Sequence, residues 1–157
     1  MVEVNEEMVR KWLEEVKGFF VVTDVKYRVP RGWGDIDIIA YNPITGDAWV
    51  VEVKGWHTEV VYPSYSKYIK PLHANSLAVI QQKLGNRKFE RVLVVPKLSN
   101  IQKTKNATYH AFAQKGINQL IEFPQILKDL INSINTHKAY DSEILQTLRV
   151  LKVYRFI

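Results

Sequence analysis

Residues 34–54 read GDIDIIAYNPITGDAWVVEVK, and this stretch decides the fold. Its flanks, GDIDIIA and WVVEVK, alternate between apolar and ionisable residues, the period of two expected of a strand whose faces differ. Between them lie Asn42, Pro43, Thr45, Gly46 and Asp47, residues that favour turns by fixing or freeing φ. An antiparallel hairpin is the simplest arrangement. A turn centred between Ile44 and Thr45 sets Asp37 against Glu52 and Asp35 against Lys54. Opposed side chains have Cβ atoms roughly 4.5–5.5 Å apart, so three carboxylates and one ammonium would share one face. Ile36, Ile38, Val51 and Val53 are expected on the other face. Ile39 and Val50 continue the charged face into apolar surroundings, as in a sheet interior.

Carboxylates gathered in such a place repel one another, and one would protonate unless a cation joined them. An Asp and a Glu on adjacent strands are hard oxygen ligands suited to Mg²⁺ or Mn²⁺, ions that keep several waters for chemistry. Lys54, two residues beyond Glu52, points the same way and could hold an attacking water or stabilise charge developing on a phosphodiester. A solvated ladder of ion pairs is the competing account, and Asp35 with Lys54 could be one rung. VVEVKG is too apolar for a fully wet strand, which favours the metal site.

At these residues the chain resembles the PD-(D/E)XK nuclease superfamily, which includes many restriction endonucleases and the archaeal Holliday-junction resolvases. Asp37 matches the motif Asp, Glu52 and Lys54 match E-x-K, and Ile36 stands where the name implies Pro. GDIDIIA and VVEVKG also look like the equivalent segments of small members of the superfamily, and the resemblance covers roughly the first two-thirds of the chain. It implies that Asp37 and Glu52 bind the metal while Lys54 handles the nucleophile. Many resolvase-like relatives add a helix Glu to the metal site, which makes Glu6 a candidate metal ligand and catalytic residue here. Several related nucleases bring a polar side chain from a later helix to the active centre, and Gln81 is the candidate for that role. The implied fold is α/β and restriction-endonuclease-like: a central mixed sheet flanked by helices, in the order α-β-β-β-α-β-α-β-α-α.

The 157 residues suit a single domain with a sizeable core, and a hydrophobic content of 46% with 24% charged residues is ordinary for a globular protein. No apolar run reaches the length of a membrane span, and the polar start MVEVNEEMVRKW does not read as a secretory signal, so a cytoplasmic protein is expected. The absence of Cys excludes disulfides, cysteine nucleophiles and thiolate zinc sites, and the spacing of His57, His73, His110 and His137 matches no zinc motif.

Net charge is +6, unevenly spread. Residues 1–53 carry six basic and ten acidic side chains, residues 54–105 ten and two, and residues 106–157 six and four. The middle third is therefore the basic face. A basic segment beside a carboxylate cluster suits an enzyme acting on a polyanion, although basic patches also serve solubility.

Residues 5–17 predict an amphipathic helix with Met8, Val9, Trp12, Leu13 and Val16 as its stripe, Asn5 as its cap and Gly18 as its stop. At about 100° per residue, Glu6 flanks this stripe and Glu7 points nearly opposite. Both also favour a helix N-terminus through the macrodipole. FFVVTDVKYRVP predicts the first strand, ended by Pro30. The stretch after Lys54 reads as irregular, with Tyr62, Tyr65 and Tyr68 among Lys67 and Lys70. Rings interleaved with cations suit bases or sugars above a phosphate track, but the tyrosines are expected first to close the core with hydroxyls outward, and the two lysines to contact phosphate. Residues 73–85 predict a helix with Leu77, Ile80 and Leu84 on one face, Gln81 beside that face and Gly85 as cap. RVLVVPK predicts a buried strand, and SNIQKTKNA a loop presenting Lys103 and Lys105 to nucleic acid. A helix over 107–115, a strand in NQLIEFP, a helix from Pro124 and a last helix capped by Asp141 complete the chain.

The expectation is a Mg²⁺- or Mn²⁺-dependent nuclease acting on DNA, endonuclease before exonuclease, with junction-type substrates and a homodimer both in keeping with the resemblance. The rival expectation is a module of the same fold that binds nucleic acid without cutting it.

Overall fold

The computed structural model describes residues 4–157. The element order agrees with the expected one: α1 (Val4–Lys11), β1 (Phe20–Val29), β2 (Gly32–Tyr41), β3 (Ala48–Val53), α2 (Ala74–Leu84), β4 (Glu90–Val95), α3 (Gln102–Gln114), β5 (Gln119–Glu122), α4 (Phe123–Ser133) and α5 (Glu143–Val153). The five strands form one mixed sheet in sequence order, β1 and β2 antiparallel to their neighbours and β3, β4 and β5 mutually parallel. Antiparallel neighbours need only turns, whereas each parallel step needs a crossover, supplied here by α2 and α3. Among the described residues, no helix is long and apolar enough to cross a membrane.

The central hairpin has the expected register, pairing Ile38 with Val51 and Ile39 with Val50. Its turn is built on Asn42, whose Oδ1 accepts from the Ile44 and Thr45 amides and whose side-chain amide donates to the Lys17 carbonyl at 3.0 Å. Gly46, at φ +79°, closes the turn by donating its N–H to the Asn42 carbonyl at 2.8 Å. One Asn thus sets the hairpin and ties it to the end of the first helix.

Alternation along β2 is interrupted at Asp37. Ile38 packs with Val51 and Val92 on one face, as expected, but Ile36 packs with Ile39 and Val50 on the other, together with Val25 of β1. The register between β1 and β2 steps from Thr23↔Ile38 to Val25↔Ile36, so Asp24 lies across from Asp37, and Asp24 has φ +52°. A left-handed residue in a long two-stranded ribbon costs about 1–2 kcal/mol and sharpens the local twist. Beyond this point Val25 and Ile36 pack with Ile80 and Leu84 of α2.

One sheet face is sealed by α1 and α4, with α5 contributing to the same core: Val9, Trp12, Leu13, Ile126, Leu130 and Leu145 cover Ile38, Val51, Val92 and Val94. Each such fully buried large side chain contributes about 1.5–3 kcal/mol. α1 widens into a π-helical turn over Trp12–Val16, and the Trp12 indole N–H donates to Asp129 Oδ2 at 2.9 Å. Val4 is already helical, so Asn5 lies inside α1 rather than capping it. The opposite face carries α2, α3 and a short 3₁₀ helix (Pro63–Tyr68) where the sequence reads as irregular. In α2 the buried stripe is Ser76, Ile80 and Leu84, while Leu77 is 43% exposed. α3 begins at Gln102, so Lys103 and Lys105 stand on its first turns and not in a loop. α5 is capped by Ser142, whose Oγ accepts from the Leu145 amide, in place of Asp141.

Candidate active site

Asp37, Glu52 and Lys54 line one cavity of about 400 Å³ on the α2 side of the sheet. The hydrogen-bonded ladder between β2 and β3 ends at Ile38↔Val51; one step further, Asp37 replaces it with its side chain, Oδ2 accepting from the Val53 amide at 2.9 Å. That bond fixes the Asp37 carboxylate at the point where the strands part. β3 continues to follow β4, the Lys54 amide donating to the Val94 carbonyl at 3.0 Å. Glu52 and Lys54, two residues apart on this extended segment, reach the same side.

Glu52 is held by two cations. Its Oε1 accepts from an Arg91 Nη2 at 2.7 Å, and its Oε2 faces the Lys54 ammonium at 3.6 Å. Arg91 also lines the cavity, and its side chain is 10% exposed. It is not among the site candidates that the sequence offers. Its signal is one of alternation: Arg91 shares a face with Leu93 and Val95 in a strand that is apolar from Val92 onward, so it turns inward beside β3.

Asp35 lines the cavity too, but its partner is not Lys54. It pairs with Lys26 of β1 at 2.6 Å, in the register Lys26↔Asp35, and both side chains are more than half exposed. This hydrogen bond raises the Lys26 pKa above its ordinary value. The solvated rung of an ion-pair ladder exists, displaced by one strand from where the hairpin alone would put it.

The remaining candidates are distributed as follows. Glu6 sits in the first turn of α1 with Glu7 and is not among the residues lining the cavity, though the neighbouring Asn5 lines a separate cleft of about 270 Å³ together with Lys54. Gln81 is exposed, donates to Asn86 Oδ1 at 3.3 Å and faces another cleft beside Leu77 and Phe89. Lys70 lines the cavity, and its carbonyl accepts from Arg91 at 3.2 Å. Lys67 is exposed and lies over the ring of Tyr68, 5.1 Å from its centroid; Tyr68 lines the cavity and Lys67 does not. Tyr65 is half-buried against Trp56, whereas Tyr62 and Tyr68 are 48% and 54% exposed, so the tyrosines only partly close the core. Lys105 borders a cleft of about 340 Å³ with Lys97 and Lys128 at the ends of β4 and β5, while Lys103 is exposed on α3.

Two further residues shape the wall. Tyr27 lies over Gly34, its partner across β1 and β2, so closely that a side chain at Gly34 would run into the ring. Tyr27 also stacks on His73, centroid to centroid 6.1 Å, and His73 Nδ1 accepts from the Asn75 amide as the cap of α2.

The described residues present no cluster of three or more His, Cys, Asp or Glu side chains arranged around one point. The carboxylates of Asp37 and Glu52, hard donors from neighbouring strands in a water-accessible cavity, still fit a divalent ion that takes the rest of its shell from water. Chemically the site offers the carboxylates of Asp37 and Glu52, with that of Asp35 at the solvated side, the half-buried Lys54 ammonium and the buried Arg91 guanidinium around a space wide enough for a phosphate.

None of the curated proteins matches the chain. A crystal structure of a protein of unknown function is similar at 22% sequence identity, with a TM-score of 0.46, over 78% of this chain and 63% of that one. The chain thus spans less than two-thirds of that protein. The family model described as the nuclease-related domain matches residues 2–140. Those residues include all five strands and every residue of the cavity, and the chain therefore belongs to the nuclease-related domain family, with a PD-(D/E)XK-like nuclease fold.

Proposed function

We propose that this domain is a Mg²⁺- or Mn²⁺-dependent deoxyribonuclease that cuts within a strand, with branched or junction DNA as its preferred form and a homodimer as its working unit. The observation that carries this reading is the convergence of Asp37, Glu52 and Lys54 from adjacent strands into one cavity. Asp37 and Glu52 would hold the ion, which when bound supplies charge to polarise the phosphodiester and acidify a water. Lys54, half-buried beside Glu52, orients the attacking water or offsets the charge that develops on the phosphate oxygens. Lys70 at the wall and Lys67 beside Tyr68 hold phosphates, and the exposed Tyr68 ring offers a surface on which a base can stack. Lys103 and Lys105 extend the same positive field along α3.

The test is cleavage of plasmid, single-stranded, flapped and four-way-junction DNA with Mg²⁺ or Mn²⁺, comparing the native chain with Asp37→Ala and Lys54→Ala. Cutting by the native chain, lost in both variants while binding persists, supports the enzyme. A second reading, a module that binds nucleic acid without cutting, draws on the pairing of Glu52 with Arg91 and Lys54, which satisfies that carboxylate without an ion. Binding without cutting in the native chain would favour it.

A further inference from the structure

Arg91 belongs to no part of the E-x-K motif, yet it is the most deeply buried charge of the cavity described above. The parallel register sets Arg91 beside Val50 and Leu93 beside Glu52, so the guanidinium reaches Glu52 from the strand next door. One Nη2 donates both to Glu52 Oε1 at 2.7 Å and to the Lys70 carbonyl at 3.2 Å. Its backbone is held as well, the Arg91 amide donating to Asn118 Oδ1 at 2.7 Å. A desolvated guanidinium that lost its carboxylate would be left as an uncompensated buried charge, so the pair has strong reason to persist.

The two oxygens of Glu52 are consequently unequal. Oε1 receives a short charge-assisted bond, whereas Oε2 stands 3.6 Å from Lys54, beyond hydrogen-bonding distance. We propose that Arg91 is a positioning residue: by locking Oε1 it presents Oε2 of Glu52 to a divalent ion, and through the Lys70 carbonyl it ties the segment walling the cavity to the same carboxylate. This rests on reading the cavity as a divalent-ion site. The sign of the effect separates positioning from charge. Deleting a cation beside a carboxylate would by itself tighten the binding of a second cation, so weaker binding on loss of Arg91 reports lost orientation.

Calorimetric titration of Mn²⁺ into the full chain, without DNA, tests this independently of catalysis. Arg91→Met should weaken Mn²⁺ binding about 10- to 100-fold, the range found when a partner of a metal ligand is removed. Arg91→Lys, which keeps the charge but not the planar fork, should fall between Arg91→Met and native. On a Glu52→Gln background, Arg91→Met should add no further loss, because its effect runs through that carboxylate. Equal or tighter binding by Arg91→Met, or a loss that adds fully to that of Glu52→Gln, overturns the proposal while leaving the ion site standing. Native protein that takes up no Mn²⁺ overturns the ion site and the proposal together. Thermal melts identify a variant that fails to fold; if Arg91→Met does, Arg91→Lys decides, and native-like affinity in it overturns the proposal.

Discussion

The two faces of the sheet are built on opposite plans. Under α1 and α4 the face is continuous, Ile38, Val51, Val92 and Val94 meeting one apolar cluster. On the other face apolar packing breaks into two clusters. One, under α2, holds Ile36, Ile39, Val50, Ile80 and Leu84; the other, under α3 and the 3₁₀ helix, holds Val61, Leu93, Val95, Leu98 and Phe112. Glu52 and Arg91 stand between them, Glu52 beyond Val50 along β3 and Arg91 before Leu93 along β4. The polar site is a seam between two small cores, and the unbroken core on the reverse side supplies the stability that such a seam lacks. Changes at the seam should therefore alter chemistry, and changes on the sealed face should alter folding.

Asp37→Asn should separate the two most sharply. The amide oxygen can still accept from Val53, so the strands keep their junction, while a charge facing other carboxylates is removed. Cleavage should fall about 10²- to 10³-fold, the range of a lost electrostatic stabiliser, with the melting temperature unchanged or raised. Single-turnover cutting rates and thermal melts on the same preparation check it; a variant that cuts normally removes Asp37 from the chemistry.

Leu130→Ala is the converse. Leu130 is fully buried on the sealed face, and truncation there should cost about 2–5 kcal/mol by urea denaturation. Well below its melting point, the folded fraction should cut at the native rate. Loss of activity in folded protein would mean that the faces are coupled.

Gly34→Ala should cost less, about 1–3 kcal/mol, because the new methyl must push back the Tyr27 ring. Tyr27→Ala on the same background should recover part of that loss, the non-additivity expected of touching groups. Fully additive losses would show that Tyr27 does not occupy that space.

The sealed face is legible because it follows period: Ile38 succeeds Asp37, Val51 and Val53 flank Glu52, and the Asn42–Asp47 turn fixes their register without tertiary information. The same rules carried Asp37, Glu52 and Lys54 to one side. What stayed hidden depends on distant strands. The partner of Arg91 is Glu52, and the β3–β4 register that joins them pairs strands separated by the α2 crossover, which no local pattern encodes. The hairpin alone sets Asp35 against Lys54, but β1 places Lys26 opposite it and takes the pair. Ile36 changed sides because Asp24 adopts φ +52° across from Asp37, a backbone choice invisible in the alternation. The first turns of α3 lack apolar periodicity, so its start reads as loop in the sequence.

The smallest effect expected lies at the outer edge of the seam. Lys26 and Asp35 are close enough for a strong hydrogen bond, but both are largely in water, where entropy and screening cancel most of the gain. The direction remains definite. Asp35 raises the Lys26 pKa, so the folded state holds that proton more tightly than the unfolded chain does. The pair's contribution is therefore fully present below the ordinary lysine value and is lost as pH rises through the raised one. Lys26→Met should melt slightly below native at neutral pH, and the gap should close in strongly alkaline buffer or added salt. A large gap at neutral pH, or one that widens with alkali, would mean that the ribbon depends on this pair, and the division between a sealed face for stability and a seam for chemistry would not extend to its rim.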